Sequence, residues 1–511
     1  MRISTPGSTV TCMENLMITE STLQVDSMSI LRITNSFIWQ SGTITAGDRI
    51  SGGQFILNST SSTNLINTTN SGISYVHFIN WGYLSFTPST FYLGYGAIFT
   101  NQDSAMLYIN SQDNLVTIAW YLYGGTSSYL ENFGTIRVNI SSAFSFECGI
   151  TVNNYGAFYL VSGTNVTMMS STSNYAQYRG MMYLEDLTIF QTIPNTSPCY
   201  FDGGLLSGLG TVSCALQASN WTIISPGNST NAGSLSIRSL SMVGQYATIE
   251  IGVVFGTASN VKILTTAAFG GVLKIISTTG GLVPDGNYSG VIQGYTSSTG
   301  SFAYYFTTNK TISGAIGTSV SLNVSSGSGW NCGGCVNGDC IGNGICQCYD
   351  GWAGTSCEIA FCRIPCRNGA LCANIPNSCD CSNIGFEGSL CQTPIVAPCN
   401  LTTIPNCFGN YLNTTLPPSL PPTRSLCTTS TTTSNPSSSL STSPMPSAKF
   451  SSGTPSSTAI SQIGNPSPIA PGIIALIVLI IGTIGIMGGV IIIYFYRKKA
   501  RVSCHLHILL F

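Results

Sequence analysis

The chain has 511 residues, which is long enough for several domains. Charged residues make up only 7% of it, and its formal net charge is −1. Nucleic-acid binding requires a basic surface, so this composition excludes a nucleic-acid partner. Charge normally keeps a protein surface solvated, so a chain with so little charge needs another solubilising layer.

Residues 1–330 are predicted to form a mainly β head. Apolar and polar residues alternate over short segments such as 134–138 and 233–238, and no convincing helical periodicity accompanies them. This period of two is typical of strands with one buried face. The head is therefore predicted to consist of many short strands.

A motif recurs in the head, with Asn followed two residues later by Gly and four residues later by an apolar residue. It occurs at Asn80, Asn132, Asn154 and Asn231, and its spacings are near multiples of about 22–26 residues. One turn of a parallel β-solenoid requires a period of that size. We expect Asn and Gly at the corners of the turns, where left-handed backbone geometry is needed.

Segments 209–212, 224–229 and 233–237 resemble the passenger repeats of β-helical adhesins, over about 30 residues in all. The resemblance implies a parallel β-solenoid head. One or more antiparallel β-sandwiches are the alternative that the sequence leaves open.

No catalytic site is evident in the head. Glycosidases act through paired carboxylates, yet the acidic residues of the head are nearly all isolated. The adjacent pair Glu185 and Asp186 is expected to point to opposite faces of a strand. The single histidine of the head, His77, is expected to be structural, and no G-x-S-x-G motif is present. We therefore expect no enzyme activity, no cofactor and no bound metal, with a carbohydrate-active β-helix enzyme as the less favoured alternative.

Twelve of the 20 cysteines lie between Cys332 and Cys391, in two blocks of six. Such a density is typical of an oxidising compartment. In each block one residue separates the fourth cysteine from the fifth, and eight or nine separate the fifth from the sixth. Residues 346–357 resemble the C-terminal half of an EGF module, and residues 385–391 end the second block similarly.

The two blocks thus resemble EGF-like modules, at residues 331–361 and 362–395, the first with the short loops of tenascin-type units. The resemblance implies that the first cysteine pairs with the third, the second with the fourth and the fifth with the sixth. Spacing alone leaves 15 connectivities open for six cysteines. The residues before each first cysteine depart from the pattern of calcium-binding modules, so we expect no calcium. The implied pairs are Cys332 with Cys340, Cys335 with Cys346, Cys348 with Cys357, Cys362 with Cys372, Cys366 with Cys379, and Cys381 with Cys391.

Residues 396–470 are rich in Ser, Thr and Pro, which predicts a disordered, O-glycosylated stalk. Residues 471–496 are predicted to form a transmembrane helix. Within them, the uncharged stretch from Ile473 to Tyr496 would be about 36 Å long as a helix, enough to cross a ~30 Å hydrocarbon core.

Residues 497–511 form the predicted cytoplasmic tail, because basic residues at 497–499 and 501 follow the span directly. Gly485 and Gly489 have the spacing of a close-packed helix dimer, so a homodimer is an alternative to the monomer. Residues 1–20 contain no signal peptide, and we expect the natural N-terminus to lie upstream.

Twelve N-x-S/T sequons all precede the predicted span. Strand alternation places Asn139 and Asn323 on an outward face, where glycans would replace charge as the solubilising layer. The predicted glycosylation sites are Asn58, Asn67, Asn139, Asn165, Asn195, Asn220, Asn228, Asn287, Asn309, Asn323, Asn400 and Asn413.

Together these features predict a single-pass glycoprotein of the plasma membrane, with its N-terminal region outside the cell and its C-terminus in the cytoplasm. We expect it to act in adhesion or recognition, with an extracellular protein or glycan as ligand. The alternative is a ligand-binding receptor that signals through partners, because the tail is too short to hold a domain.

Overall fold

The computed structural model describes residues 2–395 apart from short gaps. The predicted stalk, membrane span, Gly485, Gly489 and tail lie outside the described residues, as do five of the sequon asparagines. Within the described part of the chain, no helix has the length and hydropathy that a membrane span requires. The gaps are 4–9, 27–28, 47–52, 59–63, 67–70, 88–89, 112–114, 120–127, 141–142, 147–148, 170–172, 228–231, 255, 280, 308–309, 328–331 and 343.

The head is a parallel β-solenoid, which confirms the predicted fold class and excludes the β-sandwich alternative. Each turn of the solenoid lays successive strands on three faces. Between the two ends of the stack, each of these strands pairs in parallel with strands of the turns before and after it. Ile98–Asn101, for example, lies between Val76–Asn80 and Ser128–Asn132.

The first face carries the candidate ligand-binding groove. Four of its strands are halves of long strands that bend onto a neighbouring face. Its strands are Val10–Ile18 and Ile30–Trp39 (first halves), Gly53–Leu57, Val76–Asn80, Ile98–Asn101, Ser128–Asn132, Ile150–Asn154, Asn174–Gln177, Pro198–Phe201, Thr211–Ala218 and Ser234–Met242 (second halves), Thr266–Phe269 and Ser297–Gly300.

The second face follows the first in each turn. Its strands are the second halves of Val10–Ile18 and Ile30–Trp39, then Leu65–Ile66, Tyr83–Phe86, Met106–Ser111, Thr135–Ile140, Ala157–Leu160, Met181–Leu184, Gly204–Gly208, Thr222–Pro226, Thr248–Val254, Val272–Ser277 and Tyr304–Phe306. Thr257–Ala258 folds back antiparallel onto Thr248–Val254.

The third face completes each turn. Its parallel strands are Arg2–Ile3, Ser21–Val25, Gly42–Thr45, Ser71–Ser74, Thr90–Gly94, Leu115–Ala119, Ala143–Phe146, Asn165–Met169, Ile189–Ile193, the first halves of Thr211–Ala218 and Ser234–Met242, Asn260–Ile263 and Gly286–Gln293. The antiparallel hairpin of Lys310–Ile316 and Ser319–Ser326 then pairs with Gly286–Gln293 and ends the parallel stack.

The inward-facing side chains of the strands fill the interior of the solenoid, because burial alternates along the strands. In Thr211–Ala218 every second side chain is buried, as the period of two predicts. Like residues stack from turn to turn: the rings of Phe55, Phe78 and Phe99 lie parallel, with centroids 4.8 and 4.9 Å apart. Such stacking buries large apolar area and stabilises the fold one turn upon the next.

A ladder of buried amides runs through the same interior. Each side-chain nitrogen donates to the side-chain oxygen one turn further, over 2.8, 2.8, 2.6 and 2.8 Å. The steps along the chain are 21, 31, 22 and 23 residues. The ladder consists of Asn80, Asn101, Asn132, Asn154 and Gln177.

The predicted left-handed geometry at the Asn and Gly motif is wrong. Asn80, Asn132 and Asn154 are the last residues of strands, and their φ angles are not positive. Gly134 is required by close approach instead, because a Cβ on it would lie 2.3 Å from the carbonyl oxygen of Ala105. Asn231 lies outside the described residues.

Residues 332–395, called the cysteine-rich strip below, form four two-stranded antiparallel ribbons held by disulfides. The ribbons pair Gly338–Gly342 with Ile345–Cys348, Trp352–Ala353 with Ile359–Ala360, Leu371–Cys372 with Cys379–Asp380, and Phe386–Glu387 with Thr393–Pro394. A further disulfide, between Cys199 and Cys214, lies buried inside the solenoid and was not predicted.

Candidate ligand-binding face and the docked cysteine-rich strip

The first half of the cysteine-rich strip contacts late turns of the solenoid. The ammonium group of Lys274 lies 2.9 Å from the carboxylate of Asp339 in the strip and 3.3 Å from Glu250. Burial works against the charge of Lys274, but the two carboxylates outweigh it and raise the pKa of the ammonium group. Beside this pair, Ile341 of the strip is buried against Phe306.

In the middle of the strip, Arg363 joins the strip to two turns of the solenoid. Its Nε donates to Asp350 within the strip over 2.8 Å, and Nη1 donates to the backbone carbonyl of Asp202 over 2.9 Å. Nη2 donates to the backbone carbonyl of Tyr178, one turn earlier. The side chain of Arg363 is only 8% exposed, so these acceptors replace most of its water.

Further along the strip, Arg367 covers an aromatic stack on the outside of the solenoid. The rings of Phe133, Tyr155 and Tyr178 stack with centroids 4.7 and 4.9 Å apart. The guanidinium carbon lies 5.7 Å above the Phe133 ring and 6.0 Å from that of Tyr155, within cation–π range. Burial alone would lower the pKa of Arg367. The hydrogen bonds to Glu131 and the attraction to its carboxylate outweigh the effect of burial and raise the pKa of Arg367.

The end of the strip reaches still earlier turns. The Ser389 amide donates to Asp103 over 2.6 Å, and the Gln392 side chain donates to Gln102 over 2.8 Å. Leu390 is buried in the same cluster as the aromatic stack. The strip therefore runs back along the solenoid, opposite to the direction in which the turns advance.

None of these docking contacts is predicted by a pattern in the sequence. Partners such as Lys274 and Asp339 are 65 residues apart, and Gln102 and Thr393 are 291 residues apart. No local pattern connects positions at such separations. The only signal available was the placement of Arg363 and Arg367 in a chain that is otherwise poor in charge.

All twelve strip cysteines form disulfides, in the order first to third, second to fourth and fifth to sixth of each block. The sulfur atoms of Cys332, Cys335 and Cys346 lie close enough to surround a metal ion, as do those of Cys362, Cys366 and Cys379. Metal ligation requires thiolates, and these sulfurs are already bonded in pairs.

The residues considered for catalysis are not brought together. Nε2 of His77 lies 2.7 Å from Oγ1 of Thr100 on the first face. Burial lowers the pKa of His77 to about 4; Glu131 opposes this shift and Arg367 reinforces it. Glu185 and Asp186 follow the strand Met181–Leu184 in a turn, so their expected place within a strand is wrong.

A shallow open groove of about 280 Å³ lies on the first face, over late turns of the solenoid. None of its lining residues is charged. Tyr200, which is 43% exposed, is the strand neighbour of Gln217 and so stands beside the groove. The outward side chains that line it include Gln217, Ser239, Ser241, Thr266, Ala268 and Thr299.

Among the described residues, the predicted glycosylation sites lie outside the strands of this face. Asn139 and Asn323 point outward, as the alternation predicts. Among the described residues, no sequon asparagine lies in a strand of the first face, and Asn220 lies at the corner that follows Ala218. The described sequon asparagines are Asn58, Asn139, Asn165, Asn195, Asn220, Asn287 and Asn323.

Comparison of the chain with models of protein families, with curated proteins and with solved structures finds no match.

Proposed function

We propose that the chain is a single-pass plasma-membrane glycoprotein that acts in adhesion or recognition, with the solenoid and the cysteine-rich strip outside the cell. The strip consists of two EGF-like modules in this proposal. Support comes from its disulfide order and from its small antiparallel ribbons. Residues 396–470 serve as the stalk, and residues 471–496 as the membrane anchor.

One observation carries the recognition role: the strip is fastened along the side of the solenoid by charged and apolar contacts from Asp103 to Lys274. A strip held in this way keeps the solenoid and the cysteine-rich region in one fixed arrangement. A rigid surface loses little conformational entropy when it binds, which favours recognition of a partner. The solenoid would present such a surface at the end of a long stalk.

Two measurements test the proposal in intact cells. An epitope inserted into the stalk should stain without permeabilisation, whereas an epitope after Phe511 should stain only after it. Cells that display the chain should bind to a surface or cell type that parent cells ignore, and soluble ectodomain should compete with that binding. Reversed staining, or display without any gain in adhesion or ligand capture, would contradict the proposal.

A further inference from the structure

We propose that the groove on the first face binds a neutral oligosaccharide chain that lies along the solenoid axis. This inference rests on the proposed recognition function and names the chemistry of its ligand. Four observations carry it: the uncharged lining, the paired backbone beneath it, the exposed tyrosine beside it, and the row of outward side chains that crosses successive turns.

The lining excludes charged ligands. A divalent cation requires carboxylate or carbonyl oxygens that converge on one point, and the groove has no carboxylate. Phosphate groups and nucleic acids require cationic side chains, and none lines the groove. Hydroxyl groups such as those of Ser239 and Ser241, with the amide of Gln217, both donate and accept hydrogen bonds. Sugar hydroxyl groups do the same, so the two surfaces are complementary.

Most of the backbone beneath the groove is already paired and so does not support the commonest mode of peptide capture. A peptide that adds to a sheet needs an open edge with unpaired N–H and C=O groups. The lining strand Ser234–Met242 pairs with Thr211–Ala218 on one side and with Thr266–Phe269 on the other. Thr211–Ala218 and Thr266–Phe269 are likewise paired on both sides, whereas Ser297–Gly300 pairs on one side only among the described strands. Over the first three strands the groove therefore offers a ligand side chains alone.

Tyr200 supplies an apolar contact at one end of the groove. The exposed ring lies beside Gln217 in the adjacent strand. Sugar rings carry hydroxyl groups at their rim and C–H groups on their faces, and such a face packs well against an aromatic ring whose hydroxyl stays in water. A tyrosine next to a groove whose mostly apolar surface carries hydroxyl groups thus matches both parts of a sugar.

The lining residues form a row that fits a chain better than a single small molecule. Tyr200, Gln217, Ser241, Ala268 and Thr299 are strand partners one after another. At about 4.8 Å between neighbouring strands, the row is about 19 Å long. The groove itself, about 280 Å³, is smaller than the ~300–1,000 Å³ of enclosed small-molecule sites, so it holds part of an extended ligand.

The test uses the full-length chain, purified in detergent and immobilised, with mannan, dextran, galactan and xylan as neutral probes and heparin as the anionic probe. At least one neutral polysaccharide should bind, with little dependence on salt. Tyr200→Ala should weaken this binding by about tenfold, as removal of an aromatic contact at the edge of a binding site does. Ser241→Trp should abolish it by filling the groove.

Ser236→Trp is the matched control, because Ser236 lies in the same strand with its side chain on the third face. It should bind as the parent chain does, and equal thermal unfolding of both tryptophan variants shows that both fold. Failure of every neutral probe, salt-sensitive binding of heparin alone, or equal binding by the two variants would each overturn the proposal. Adhesion of cells that display the chain distinguishes the proposed recognition function from the proposed binding site. If cells that display Ser241→Trp adhere like cells that display the parent chain, the chain acts in recognition but the groove is not the site that binds the ligand.

Discussion

Arg367 and Glu131 are 236 residues apart in the chain, yet the guanidinium donates two hydrogen bonds, of 2.9 and 3.2 Å, to the carboxylate. A bidentate pair of this kind fixes both distance and orientation. The same guanidinium covers Phe133 and Tyr155, so one side chain combines a charge pair with an apolar contact. This ion pair helps to hold the cysteine-rich strip against the solenoid.

Replacing Arg367 should release the second half of the strip. Arg367→Met leaves the carboxylate of Glu131, only 12% exposed, without its partner. We expect a loss of about 1–3 kcal/mol, below the cost at a fully buried pair because Arg367 is 36% exposed. Hydrogen exchange over residues 362–395 and thermal unfolding measure this, and a double-mutant cycle with Glu131→Gln should give a coupling of at least about 1 kcal/mol.

Arg137→Met is the control for that experiment. Arg137 lies 3.8 Å from Glu185, and its side chain is 45% exposed. An exposed pair of this length contributes about 0–0.5 kcal/mol. A loss as large as that of Arg367→Met would show that the strip pair has no special role.

The amide ladder should be costly to interrupt. Asn132 accepts from Asn101 and donates to both Asn154 and the backbone carbonyl of Ala157. Asn132→Ala removes these three hydrogen bonds and leaves the buried Oδ1 of Asn154 without its donor, whereas Asn101 keeps its hydrogen bonds to two backbone carbonyls. A buried unsatisfied group costs about 1–3 kcal/mol, and more where the loss spreads through a network. We expect a loss of about 2–4 kcal/mol in denaturant unfolding. Asn153→Ala, one turn along and pointing outward, should change stability by less than about 0.5 kcal/mol.

The two kinds of disulfide should protect different parts of the molecule. The bond between Cys199 and Cys214 closes a loop of 15 residues inside the solenoid. The double variant Cys199→Ala with Cys214→Ala should therefore lose about 3 kcal/mol of unfolding free energy. The β signal in circular dichroism should then melt at a lower temperature. Removal of Cys348 and Cys357 should instead expose the strip to proteolysis while the solenoid melts nearly as before. Equal effects of both pairs on the β signal would contradict this division.

Local patterns predicted what depends on neighbouring residues. Alternation in segments such as 134–138 predicted strands and their outward faces, because a strand exposes every second side chain. The recurring Asn residues predicted the solenoid, but Asn101 and Gln177 were missed because no glycine follows two residues later. The left-handed geometry predicted for those asparagines is wrong. They form the amide ladder, which depends on the register between turns, and no single segment encodes that register.

The docking of the strip and the groove could not be predicted for a related reason. Tyr200, Ser241 and Thr299 are ordinary outward residues in their own segments, and only the stacking of turns makes them neighbours. Cys199 and Cys214 likewise each occupy an inward position, but their pairing needs the register of two strands that meet at a corner.

His77 should make the stability fall in mild acid. Its pKa is about 4 in the folded chain and about 6.5 when unfolded, so the unfolded chain binds the proton first as pH falls. Stability should decline between pH 6.5 and pH 4 and change no further through this group below pH 4. Because His77 keeps part of its surface exposed, we expect about 1–2 kcal/mol, less than the roughly 3 kcal/mol that such a shift implies. His77→Gln should lose this slope, and denaturant unfolding of both chains at several pH values measures the difference.

Deleting one whole turn should leave a folded solenoid but release part of the strip. Asn132 and Asn154 are strand partners, so removal of residues 132–153 places Asn154 where Asn132 stood, next to Asn101 in the amide ladder. Stability in a solenoid is shared between neighbouring turns, so the shortened β structure should still unfold cooperatively. The solenoid shortens by about 4.8 Å between Gln102 and Asp202, however, while the disulfide-bonded strip keeps its length.

Contacts of the strip on one side of the deletion must therefore be lost, either those of Gln392 to Gln102 or those of Arg363 to Asp202. Circular dichroism should show a retained, cooperative β signal, and hydrogen exchange should show faster exchange in residues 362–395. Deletion of residues 132–142 is the matched control, because it removes the second-face strand Thr135–Ile140, brings Ala143–Phe146 of the third face to its place and should unfold the chain. If the whole-turn deletion unfolds as readily as the half-turn deletion, turns do not fold as interchangeable units. If the strip stays protected after the whole-turn deletion, the strip does not depend on the register of the solenoid.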